Sequence, residues 1–192
     1  MIQEKEKNYL LNLARNSIST FLEKETKLNV DEEVQDLFPN EGNFLLYKRL
    51  GCFVTLKTKL EKQLRGCIGI IESEERLYRN VIDYAIFSST RDPRFPRVLE
   101  GELKELWIEI SVMGEVKLLG QIEDIIIGNH GLIVERGTYR GLLLPQVASE
   151  YGWDREVFLE QTCLKAGLDS KSYLDRETQL FFFDSICFSE EN

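Results

Sequence analysis

Histidine is almost missing from this chain: His130 is the only one among 192 residues. A zinc or iron centre built on several histidines is therefore excluded. Cysteine is scarce too. Cys52, Cys67, Cys163 and Cys187 stand far apart, with no C-x-x-C pair and no cluster at metal-ligand spacing, which also removes a cysteine-rich iron–sulfur motif. Thiols so dispersed are expected to be free in a reducing compartment. No apolar run approaches the roughly 20 residues of a membrane span. The opening stretch MIQEKEKNYLLNLARNSISTFL is polar first and then helical, unlike a signal peptide. Together these absences predict a soluble, cytoplasmic protein with no membrane partner. Positive charge is also in deficit: 24 Lys and Arg face 33 Asp and Glu, for a formal charge of −9. A broad electrostatic grip on nucleic acid is disfavoured, leaving room only for a local basic patch. Repeats and low-complexity linkers are absent.

What is present is an ordinary globular composition, 43% hydrophobic and 30% charged, in a chain long enough for one large domain or two lobes. Leu10, Ala14, Ile18 and Phe21 recur at helical spacing and predict a helix over residues 5–24. Residues 31–43, acidic and carrying Pro39 and Gly42, read as a loop with one helical turn. Residues 52–71 read as two strands across a charged middle, and 76–90 as a helix with Leu77, Val81, Tyr84 and Phe87 or Ser88 along one side. That helix should end before Pro93. Alternation predicts a strand over 105–116, a hairpin around Gly137 and Thr138, and a last strand over 179–190. Pro145 suits the first turn of a helix over 145–151, while Asp154 and Gly167 read as the cap and stop of another. About six strands and four or five helices, with hairpins, give the class α+β.

The stretch LRGCIG at 64–69 combines an arginine and a cysteine with two glycines. Strand alternation puts Leu64, Gly66, Ile68 and Ile70 on one face and Arg65, Cys67 and Gly69 on the other, with the Cα atoms of Arg65 and Cys67 about 6.5 Å apart. A guanidinium at that range favours the thiolate. Gly66 and Gly69 leave room for another backbone or a ligand. The competing view is that Cys67 is a small buried hydrophobe. In FSSTRDPRFPRV, Arg91, Asp92 and Arg94 sit around Pro93 and Pro96, a stiff loop displaying groups suited to carboxylate or phosphate. Alternatively Arg91 and Asp92 form a local ion pair and Phe95 packs inward. His130, between Asn129 and Gly131, is a candidate proton shuttle for Cys67 or an ordinary turn residue. Gln146 and Glu150, four apart, face the same way on a helix and are candidate pocket residues. Trp153 and Asp154 read as structural.

Taken in order, LRGCIG, YAIFSSTRDPRFPRV, ISVMGEVKLL and GNHGLIVERGTYRGLLLPQVASEYGWDREVFLEQTCLKAGL resemble the AMMECR-domain family, also called AmmeMemoRadiSam system protein A. The resemblance runs from about residue 8 to the final strand. The matching positions are Leu64 to Gly69, Arg91 to Pro96, His130 and Gly131, Leu144 to Gln146, and Gly152 to Asp154. Met113-Gly114 depart from the family pattern, outside these motifs. The resemblance implies one domain of two α+β lobes spanning residues 1–192: a larger lobe with both termini and an antiparallel sheet, and a smaller one with its own short sheet. It implies a cleft near LRGCIG, and an association with a Memo-type protein and a radical S-adenosylmethionine protein.

Two functions follow as expectations. In the first the chain is an enzyme or accessory subunit: Cys67 is nucleophile or acid–base thiol, Arg65 stabilises it, His130 moves a proton, and Arg91 and Arg94 orient an anionic group. In the second it is a binding or adaptor module for a peptide, nucleotide or protein. No cofactor and no resident metal are assigned in either.

Overall fold

A computed structural model describes residues 2–190. The α+β expectation holds. Among the described residues there are five α-helices and six strands. The chain divides into two compact units, 1–113 together with 187–192, and 114–186. No helix among the described residues is long and apolar enough to cross a membrane.

In the first unit, β1 (Cys52–Thr58) lies between β2 (Leu64–Ile70) and β3 (Leu106–Leu118), antiparallel to both. Residues facing one another across an antiparallel pair share a face. The register therefore puts Val54, Leu56, Ile108 and Ile110 together, and all four are fully buried. They meet α1 (Glu4–Lys24) and α3 (Leu77–Thr90), whose buried residues include Leu10, Ala14, Ile18, Val81, Ala85 and Ile86. The inward side of α3 includes Leu77, Val81 and Ser88 as expected, but it is wider than the expected stripe. Ile82, Ala85, Ile86 and Ser89 are buried, whereas Tyr84 and Phe87 are only partly so. The stripe of buried side chains is wide because the helix packs on a strand pair and on α1 together.

The acidic stretch after α1 is more ordered than expected. It forms α2 (Asp31–Leu37), two turns rather than one. Three acids stand in its first turn, where the helix dipole favours negative charge. Val34 and Phe38 anchor it in the core with no exposed surface.

In the second unit, β4 (His130–Arg136) lies between β5 (Tyr139–Leu143) and β6 (Gln179–Ser189), again antiparallel. The hairpin turns at Gly137, whose φ of +60° suits glycine. Pro145 opens α4 (Pro145–Tyr151). Asp154 caps α5 (Arg155–Lys165) by accepting the Val157 N–H at 2.9 Å. Gly167, at φ +78°, follows its end as expected. The core beneath them gathers Leu132, Val134, Ala148, Phe158, Leu159 and Cys163.

One close joint of the first unit is where α3 meets β2. A Cβ on Gly66 would lie 2.2 Å from the Ser88 carbonyl oxygen, so the helix backbone rests directly on the strand. The Ser88 hydroxyl then enters the ladder: it donates to the Val54 carbonyl at 2.7 Å and accepts the Ile68 N–H at 2.8 Å. Val54 and Ile68 are register partners, so one hydroxyl bridges the two strands where they face each other. Gly66→Ala should cost about 3 kcal/mol, because the clash is with backbone and relief moves the bridge. Urea unfolding measures it. A loss below about 1 kcal/mol would show that helix and strand are not held together as described.

Candidate functional site

Antiparallel pairing aligns Cys67, Thr55 and Glu109 in one row, on the face opposite the α1–α3 core. Cys67 is partly exposed, whereas Thr55 is buried. The Thr55 hydroxyl donates to the Cys67 sulfur at 3.3 Å. Lys57 pairs with Glu109 at 3.0 Å beside them. Thr55, Lys57 and Glu109 were not singled out from the sequence, but the signal was there. Polar residues at alternating positions of β1 and β3 mark a face unlike the apolar one behind it.

Alternation does not hold through Arg65. The register jumps from Leu56–Gly66 to Lys57–Leu64, leaving Arg65 as the extra residue of a β-bulge. The bulge re-aims the side chain. Arg65 donates through Nε to Glu102 and through Nη1 to the Pro96 carbonyl at 2.9 Å. The expectation that Arg65 supports the thiolate is therefore corrected: the cation acting on Cys67 is Arg94. Burial pushes the Cys67 thiol above its ordinary range. Thr55 and Arg94 oppose that rise, and the charges of Asp92 and Glu109 add to it.

The R-D-P-R-F-P loop reaches β2 through Asp92. Its carboxylate accepts the Cys67 N–H at 2.8 Å, the Arg94 N–H at 3.1 Å, and the Arg94 guanidinium at 2.9 and 2.7 Å. Arg94 also donates to the Cys67 carbonyl at 3.2 Å. Asp92 is thus paired with Arg94, not with Arg91. Arg91 instead lies over the Phe87 ring, 4.5 Å from its centroid. The Asp92 side chain is 2% exposed and that of Arg94 is 53% exposed, so the carboxylate is structural while the Arg94 side chain is half open to solvent. The room at both glycines is filled by the protein itself: α3 backbone at Gly66, and the Phe53 ring at Gly69.

His130 lies in the second unit, at the start of β4 opposite Asp184. Its Nδ1 accepts the Ile126 N–H at 3.2 Å, and its ring packs on Phe182 with centroids 4.6 Å apart. The proton then sits on Nε2, which points toward Asp184 at 3.6 Å. His130 therefore closes the 126–130 turn. Gln146 and Glu150 share a face of α4 in this unit. Three cavities, of 670, 240 and 380 Å³, are lined by neither Cys67 nor His130. Among the described residues no group of three or more ligating side chains could hold a metal ion.

Hydrogen bonds from Arg94, and from the backbone at Cys67 and Arg94, hold the Asp92 carboxyl well below the usual carboxylate range. Its stabilisation is present above the unfolded carboxylate pKa of about 3.9 and is lost as pH falls below it toward the folded value. Asp92→Asn should cost about 2 kcal/mol near neutrality, since a buried bidentate partner is removed. The penalty should shrink below about pH 4, where the wild-type carboxylate begins to lose its own advantage. Thermal unfolding across pH reads both, and a penalty that does not change with pH would contradict the assignment.

Comparison with known proteins finds similarity along nearly the whole chain. A protein of Methanothermobacter thermautotrophicus is 41% identical over 188 residues, covering 95% of this chain and 93% of its own length. Protein TK0174 of Thermococcus kodakarensis is 38% identical over 191 residues, covering 95% of this chain and 89% of itself. The crystal structure of protein PH0010 from Pyrococcus horikoshii superposes with a TM-score of 0.89 at 36% identity, covering 99% of this chain and 94% of that one. The AMMECR1 family model matches residues 11–188, and the chain belongs to that family.

Proposed function

We propose that the chain is a binding component of a modification pathway, and that the Cys67 face of its first unit receives an anionic group of a small molecule or peptide. The observation that carries this reading is the half-exposed Arg94 side chain, held beside Cys67 by Asp92 and by its bond to the Cys67 carbonyl. Burial pushes the Cys67 thiol upward, and the charges of two nearby carboxylates add to the rise. At neutral pH such a sulfur is a protonated, weakly polar contact surface. Beside it stands the half-exposed Arg94 side chain, its guanidinium pre-oriented by Asp92, a group that suits carboxylate or phosphate. Arg91, exposed and without a carboxylate partner among the described residues, is the second cation of this loop. Arg65, Gly66, Gly69 and Asp92 serve as the frame that fixes these contacts. The partners proposed are a Memo-type protein and a radical S-adenosylmethionine protein, an assignment that rests on the family resemblance alone.

One observation favours a second reading, thiol catalysis. The Thr55 hydrogen bond and the Arg94 charge both stabilise a thiolate. Iodoacetamide labelling across pH separates the two. A binding face predicts that Cys67 is alkylated more slowly at pH 7 than free cysteine, with its rate rising at higher pH than that of free cysteine. Alkylation faster than free cysteine at pH 7 would overturn the binding reading in favour of catalysis. For the partners, co-purification of the tagged chain from its own cells should recover both proteins. It should be lost on Arg94→Ala if this face mediates the contact.

A further inference from the structure

We propose a second, independent surface on the 114–186 unit: a docking groove for a basic segment of a partner protein that carries aliphatic side chains between its cations. The groove has a volume of 380 Å³ and lies between the 122–127 segment and the start of α5. Its apolar floor is Ile122 and Ile127, which pack on the core of this unit yet remain partly open. The rim carries three carboxylates, Glu123, Asp154 and Glu156, against one guanidinium, Arg155. Arg155 is held back by its Nε donation to the Ile125 carbonyl at 2.7 Å. None of the three carboxylates has an ion-pair partner among the described residues.

Asp154 and Glu156 also serve the amino end of α5, the first as its cap and the second in its first turn. Glu123 belongs to the single 3-10 turn Ile122–Asp124 and not to α5, so α5 does not explain its charge. Three residues before Asp154, Tyr151 is 69% exposed and stacks on Trp153 with centroids 4.9 Å apart and planes 17° from parallel. The stack adjoins the rim along the chain, Trp153 preceding Asp154, and the exposed Tyr151 ring offers a face to a guanidinium of the same basic segment. Aliphatic neighbours of that cation would cover Ile122 and Ile127. A neutral apolar segment would leave the rim carboxylates desolvated and unpaired, and an acidic one would be repelled.

The test is calorimetric titration of the whole chain with two synthetic amphipathic peptides, one alternating Arg with Leu and the other Glu with Leu. Only the first should bind. Glu123→Gln with Tyr151→Ala should weaken it by about tenfold or more, as loss of an interface anchor does. A control pair that does not line the groove, Glu72→Gln with Glu177→Gln, should change affinity less than about twofold, although it removes more charge. Both control residues are exposed. Thermal melting checks that each variant remains folded. Equal weakening by both pairs would show diffuse attraction to an acidic protein and overturn the proposal. So would binding of neither peptide, or a concentration-dependent dimer abolished by Tyr151→Ala, which would make a second copy the occupant. All residues of this groove lie outside the Cys67 unit, so failure here leaves the binding reading of Cys67 standing.

Discussion

The candidate site hangs on one buried carboxylate. Asp92 stands just beyond the end of α3 and receives the Cys67 N–H, while its partner Arg94 donates to the Cys67 carbonyl. The outer backbone groups of that β2 residue are thus paired by side chains, as a further strand would pair them. A charge this deeply placed is tolerable only because it is matched by a guanidinium and by backbone donors. The same bonds orient Arg94, so the position of the strand and the direction of the outward cation are set together. Pro93 and Pro96 stiffen the loop that delivers them, which lowers the entropy lost in holding this geometry.

Behind the strand, a second constraint fixes the depth of Cys67. Gly66 lets the α3 backbone come into contact with β2, and Ser88 bridges β1 and β2 from that side. The two faces of β2 therefore have different tasks. One is locked to a helix through a hydroxyl and a missing side chain. The other carries the thiol, beside the Thr55 hydroxyl of β1 and the Lys57–Glu109 pair that links β1 to β3. Displacing the helix would move the strand, and with it the backbone groups that Asp92 holds.

Features set by local rules were legible in the sequence. The Asp154 cap, Pro145 at a helix start, Gly137 in the hairpin and the alternation of β1 and β3 depend on neighbours a few residues away, and all appear as read. Features set by partners distant along the chain were not. Whether Arg65 supports Cys67 depends on a bulge fixed by the 57–64 pairing and on Glu102, 37 residues onward. Alternation alone cannot foresee a register jump, because the pattern is the same up to the residue that leaves it. The two turns of α2 were obscured because its acids read as solvated loop, and their value at a helix start is realised only when Val34 and Phe38 find a core. In the R-D-P-R-F-P loop, only the approach to β2 decides that Asp92 chooses Arg94 over Arg91.

The Thr55–Cys67 contact narrows what the thiol is for. Thr55 is only 7% exposed, and its hydroxyl donates to the sulfur. A buried hydroxyl without an acceptor is destabilising by about 1–3 kcal/mol, so some acceptor is required at position 67. Alanine removes it. Serine restores an acceptor but places it on a shorter bond and demands hydrogen bonds of its own, which a sulfur does not. Cysteine meets Thr55 with a weak acceptor and still leaves an apolar edge toward solvent. That is sufficient reason for a thiol here without any reaction at sulfur. A loss of function on replacing Cys67 would therefore not show catalysis, whereas the pH dependence of its alkylation addresses the sulfur directly.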